Sequence, residues 1–123
     1  MEQVKEAVVS FVKGGDNNDA SLLEKVLHPY FQNIQDGNFT EEGIFVFTKS
    51  QYIELVNKKT FGGTPRTINI RSIEQHGNIA VAEAILESRK LRFRSTIVCV
   101  RTDSGWQVIN NIPKIEVLEK TTV

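Results

Sequence analysis

Glu83 sits in the setting that most invites chemistry. It falls in the run Ile79–Glu87, where strand alternation groups it with Ile79, Val81, Ile85 and Glu87, opposite Ala80, Ala82, Ala84 and Leu86. A carboxylate among apolar side chains is costly, and binding sites collect such groups as acids or bases. Pairing with an arginine, or reaching water at an open edge, satisfies it equally well. Glu87, nearer the next turn, reads as solvated. Tyr30, Tyr52, Trp106 and Asn110 are the aromatic and amide side chains that line small-molecule pockets, although the same aromatics also fill cores. With Glu83 and Ser95 they form the candidate ligand-binding set, and Glu83 is the one weak catalytic candidate.

The remaining reactive types read more plainly. His28 precedes Pro29 at the expected end of a helix, where an imidazole can bond the last carbonyls and complement the dipole. His76 adjoins the turn residues Gly77-Asn78. Two histidines this far apart, with no Cys or His at ligand spacing, give no metal signature. Cys99 excludes an internal disulfide and, with no basic neighbour on its strand face, reads as an inert small hydrophobe. Arg89, Lys90, Arg92 and Arg94 crowd one turn, but Phe93 alone interleaves as an aromatic, so a solvated hairpin is expected rather than a nucleic-acid site. No phosphate-binding glycine loop and no Ser-His-Asp order can be assembled. No cofactor is called for.

These residues need a scaffold, and 123 residues supply one domain, read as spanning 1–123. Fifteen basic and fifteen acidic side chains cancel, so no overall field steers the chain towards nucleic acid or an anionic membrane. Residues 1–61 carry six basic and nine acidic groups, and 62–123 reverse that balance. No stretch approaches the roughly 20 apolar residues of a membrane helix. The charged start, Met1 to Glu6, lacks an apolar signal core, so a cytoplasmic location is expected.

Val4, Ala7, Val8, Phe11 and Val12 form a helical stripe that Gly14-Gly15 should end. Leu22, Leu23, Val26 and Leu27 make a second short helix, stopped before Pro29. Phe31–Gln35 reads as a strand, Asp36-Gly37-Asn38 as a turn and Ile44–Thr48 as another strand. Ser50 can cap a third helix over Gln51–Lys58. From Thr67 the period changes to two, giving strands over Thr67–Gln75, Ile79–Glu87, Leu91–Arg101 and Trp106–Pro113. Helices first and an antiparallel meander last define an α+β domain with a strongly curved sheet.

Both sheet faces are substantially apolar. The bulkier Trp106 face is expected to close over the helices. The flatter face, with Ala82, Ala84, Val98, Val100 and Ile109, is then left uncovered, and an uncovered apolar face favours a sheet-to-sheet homodimer.

Gly15-Asp16 after the first helix, Leu27-His28-Pro29 closing the second, Gly77-Asn78-Ile79-Ala80-Val81-Ala82 entering a strand, and Gly105-Trp106-Gln107-Val108-Ile109-Asn110 near the end together resemble the nuclear transport factor 2-like superfamily. Within it the chain resembles the SnoaL-like group, in the putative lumazine-binding branch, over Val4 to about Ile112. The resemblance implies a cystatin-like roll: a cone-shaped curved antiparallel sheet wrapped around about three helices of the N-terminal half, with an apolar pocket at its open end. Ketosteroid isomerases of this superfamily use an aspartate base, a tyrosine and a protonated acid. Val8 and Ile97 stand at the tyrosine and second-acid positions, and Gln35 stands near the base. The acidic positions of the lumazine-binding branch fall on Tyr30, Ser95 and Thr96.

The expectation is a pocket for a small apolar or aromatic molecule without assignable catalysis. The alternatives are an isomerase, dehydratase or cyclase using Glu83, with Tyr30 or Asn110 as donor, and a non-catalytic dimeric interaction module.

Overall fold

Residues 1–118 are described by the computed structural model of the protein. The apolar stripe of the first segment produces α1 (Glu2–Asp16), which buries Val4, Val8, Phe11 and Val12. The helix does not stop at Gly14-Gly15 as expected, but runs through both. Gly14 is bare because Leu23 packs against it: a Cβ there would stand 2.7 Å from Leu23 Cδ2. The left-handed residue falls later, at Asn18, with φ 50°.

Asp19 caps α2 (Ala20–Val26) by accepting the Leu22 N–H at 3.1 Å. The third helix, α3 (Lys49–Asn57), begins earlier than Ser50 would dictate. Thr48 caps it, and Gln51 returns a bond to the Thr48 N–H. Lys49 Nζ then donates to the Glu24 and Leu27 carbonyls, tying the start of α3 to the end of α2.

Six strands follow the alternation of the sequence: β1 (Leu27–Asn38), β2 (Glu41–Thr48), β3 (Thr67–His76), β4 (Ile79–Glu87), β5 (Leu91–Thr102) and β6 (Gly105–Val117). They form one sheet in the order β2-β1-β6-β5-β4-β3. The β1–β6 pair is parallel and the other four are antiparallel, so the sheet is mixed. Asp36-Gly37-Asn38 belongs to β1, and the hairpin turns at Phe39-Thr40, where Phe39 has φ 56°.

The face assignment is reversed in β4. Ala80, Ala82, Ala84 and Leu86 are buried against the helices with Ile97, Cys99 and Val108, whereas Glu83 is exposed on the outer face. Small residues lie inside because the helices approach that part of the sheet closely. Ala82 and Ala84 are therefore core residues and cannot contribute to an outer interface. Val98 and Val100 do lie on the outer face, half-buried.

The segment between α3 and β3 closes one end of the cone. Asn18 Nδ2 donates to the Val56 and Phe61 carbonyls at 2.8 and 2.9 Å, and the Gly63 N–H bonds Gly15 O. Asp16 accepts both the backbone N–H and the guanidinium Nε of Arg66, at 3.0 and 2.7 Å. Gly62 has φ +76°, and a Cβ there would overlap the Gly15 carbonyl. Gly77 also has positive φ, +63°, but open space around it. Gly62→Ala should therefore lower stability well beyond the roughly 1 kcal/mol of a left-handed alanine, whereas Gly77→Ala should lose only about that amount. Urea midpoints of the two variants measure the difference.

Candidate functional site

The inner face does not fill completely. A cavity of about 590 Å³ lies between the sheet, the C-terminal part of α1, and α3 with its following loop. Its apolar wall includes Phe11, Tyr52, Phe61, Leu86, Phe93 and Ile115. The rings support one another: Tyr52 lies 5.4 Å from Phe31 and 6.0 Å from both Phe11 and Phe61, centre to centre. The β4–β5 hairpin, the β1–β2 turn and the loop before β3 frame the cavity, bringing in Arg89, Lys90, Phe39, Thr64 and Arg66.

The polar side of the cavity is a row of amides. Parallel pairing places Asn33 of β1 beside Asn111 of β6, and Gln35 follows two residues along the same face. Asn111 Nδ2 donates to Asn33 Oδ1 at 2.7 Å, and Asn33 Nδ2 donates to Gln35 Oε1 at 2.6 Å. Gln35 Nε2 donates to the Gly37 carbonyl at 3.1 Å. All three side chains are buried and all three line the cavity. Asn111 Oδ1 is left without a protein partner among the described residues.

Burial raises the Tyr52 pKa; the Arg66 charge offsets this in part and Asp16 adds to it, so the phenol remains a donor over the physiological range. Among the described residues the lining contains no aspartate, glutamate or histidine. Among the described residues, no group of three or more His, Cys, Asp or Glu side chains could hold a metal ion.

Of the six side chains singled out for ligand binding, only Tyr52 lines this cavity. Glu83 lies on the opposite side of the sheet, where its carboxylate accepts the Thr96 hydroxyl at 2.7 Å. Tyr30 is 81% exposed, and its ring lies 5.7 Å from that of His28. Asn110 is on the outer face opposite Val98 and Gln32, because the register between β5 and β6 shifts at Ile109. Trp106 is half-buried at the edge of the core under the Arg101 guanidinium, 5.5 Å from the ring centre. Ser95 is buried on the inner face, with Oγ unpartnered among the described residues, but it is not part of the lining.

His28 does not bond the helix carbonyls; its Nδ1 instead accepts the Tyr30 N–H at 3.0 Å. Glu87 and Glu116 pair with Arg92, and Glu116 also pairs with Arg94. Only Arg89 and Lys90 of that basic cluster turn to the cavity mouth. Val8 and Ile97 are buried in the core, whereas Gln35 does reach the site.

The amides Asn33 and Asn111 are the residues that sequence reasoning missed. Phe31, Asn33 and Gln35 share one strand face, so two polar residues following a buried phenylalanine were a readable signal. Asn111 could be found only by knowing where β6 bulges.

The helices and curved sheet have the nuclear transport factor 2-like fold. Solved structures agree: a protein of unknown function from Silicibacter pomeroyi superposes with TM-score 0.81 at 15% identity, covering 94% of both chains. One from Shewanella baltica gives 0.78 at 13% identity, covering 97% of this chain and 94% of that one. A ketosteroid isomerase-like protein from Erwinia carotovora gives 0.74 at 11%, covering 91% and 92%. The family model described as putative lumazine-binding matches residues 1–112, and the chain belongs to that family. No curated protein matches the sequence.

Cys99 is buried beneath the helices, and desolvation pushes its thiol up to about 12 from 9.0. At pH 8, four units lower, about one molecule in ten thousand carries the reactive thiolate. A thiol-specific reagent should therefore label the folded protein at the rate of unfolding, and label it rapidly in denaturant. Because the folded pKa is the higher one, this group favours folding fully below pH 9, and that contribution declines as pH rises from 9 towards 12.

Proposed function

We propose that the protein binds a small ring-bearing molecule inside the cone. The observation that carries this reading is the 590 Å³ cavity, walled by aromatics and floored by a directed row of buried amides. Apolar walls with a few fixed polar groups are what small-molecule sites offer. A packed core would fill that volume, so the cavity favours ligand binding over the interaction module. The acid–base reading loses its residue, since Glu83 and the cavity are on opposite sides of the sheet.

The family description makes lumazine, a flat bicyclic molecule with N–H donors and carbonyl acceptors, the first compound to test. At a hundredfold excess over its dissociation constant it should stabilise the protein by about 2.7 kcal/mol, raising the melting temperature by about 10 °C. Ile115→Trp, which places an indole in the cavity, should abolish the shift. An unchanged melting temperature with lumazine and with a panel of other ring compounds overturns the reading.

The apolar side chains of the outer face favour a homodimer, with the interface moved from the alanines to their opposite side. Val46, Ile34 and Ile112 lie side by side across β2, β1 and β6, and Ile44, Val46 and Ile112 are exposed there. A contiguous apolar patch of this kind suits a two-fold sheet-to-sheet contact. Light scattering should give twice the chain mass for the native protein and the chain mass for Val46→Lys/Ile112→Lys. A native monomer at high concentration overturns the dimer. A cytoplasmic location completes the proposal; no helix among the described residues is long and apolar enough to cross a membrane.

A further inference from the structure

The amide row has a direction, and the direction is fixed at its far end. The Gly37 carbonyl can only accept, so Gln35 must present its NH₂ there. Gln35 Oε1 is then free to accept only from Asn33 Nδ2, and Asn33 Oδ1 only from Asn111 Nδ2. Turning any one amide over would set two oxygens or two NH₂ groups against each other. The last oxygen of the row, Asn111 Oδ1, is therefore an obligate acceptor. Asn111 is only 7% exposed and lines the cavity; this oxygen is itself buried beside the cavity and has no protein partner among the described residues.

The other end of the cavity has the opposite character. Arg66 lies over the Phe93 ring, 4.7 Å from its centre. Phe93 is four residues along β5 from Ile97, the cross-strand neighbour of Asn111, a span of about 13 Å at about 3.3 Å per residue. Asp16 engages Arg66 through Nε and offsets its charge. Arg89 and Lys90 add positive charge at the mouth: neither pairs with an acid among the described residues. Glu41 and Glu42 line a separate hollow beyond the β1–β2 turn.

We infer that the cavity takes an elongated ring-bearing organic acid, whose inner end donates an O–H or N–H to Asn111 Oδ1 and whose anionic outer end faces Arg66, Arg89 and Lys90. This rests on the small-molecule reading and adds the polarity of the ligand and its orientation. A ligand that placed a methyl group against Asn111 Oδ1 would bury an acceptor with nothing to bond.

Three compounds test both ends. para-Coumarate carries a phenol and a carboxylate at opposite ends of a rigid frame. para-Methoxycinnamate masks the donor, and methyl para-coumarate masks the charge. Calorimetric titration should show para-coumarate binding at least about tenfold more tightly than the methoxy compound. The ester should also bind more weakly. The double variant Arg89→Gln/Lys90→Gln should weaken para-coumarate binding and leave the ester unchanged, and added salt should do the same. Equal binding of para-coumarate and the methoxy compound overturns the inner donor. Equal binding of para-coumarate and the ester overturns the outer anion. If lumazine or another ring compound binds while all three fail, the proposed ligand class is wrong and the small-molecule reading stands. If no ring compound binds, that reading falls as well.

Discussion

The surplus residue in β6 governs which side of the sheet the rest of that strand addresses. Cys99 pairs with Val108, but Val98 pairs with Asn110, so Ile109 has no partner of its own. Because side chains alternate, one extra residue exchanges the two faces for everything beyond it. Val108 and Asn111 both point inward, although they are three residues apart, and Asn110 and Ile112 point outward. Without the bulge Asn110 would face the helices and Asn111 would face outward. The amide row would lose its last member, and Ile112 would leave the apolar outer patch.

Once Asn111 is inside, the parallel neighbour β1 must accommodate it. A buried amide left unbonded costs about 1–3 kcal/mol. Asn33 meets that requirement directly, Gln35 meets that of Asn33, and the Gly37 carbonyl ends the sequence at a backbone group that cannot turn over. Every donor NH₂ along the row thus has an acceptor, and the one uncommitted acceptor is left at the end of the row, on Asn111. Fixed dipoles of this kind are stiff as well as directional.

Much of this architecture was legible. The apolar stripe of α1, the change of period at Thr67 and the hairpin glycines mark helices and strands within a few residues. What failed was the side of the sheet. Bulk suggested that Ile79, Val81 and Ile85 lie inside, yet the alanines do, since helix-to-sheet distance decides the size of side chain that fits and periodicity carries no distance. The candidate site failed for the same reason, because Glu83 belongs to the face wrongly taken as inner. Asn110 failed for a different one: a bulge at Ile109, just ahead of two adjacent asparagines, leaves the amino-acid pattern unchanged. Gln35 was reached only through the family resemblance, and Arg66 not at all, because its role depends on a contact with Asp16 fifty residues earlier.

That contact links two walls of the cavity. Asp16 is at the end of α1, the helix that supplies Phe11 to the apolar wall, and Arg66 enters β3 from the loop that supplies Phe61. The loop is pinned to α1 by Asn18 and by the Gly63–Gly15 bond, which hold the Phe61 backbone at the cavity wall. The cavity therefore stays open because its frame is bonded elsewhere. A shape held by bonds outside the cavity lining leaves that lining free to be specific, with aromatic walls, an amide row at the floor and cations at the rim already in place. For the proposed ligand, little ordering of the protein would be required, which favours affinity by preorganisation rather than by induced closure.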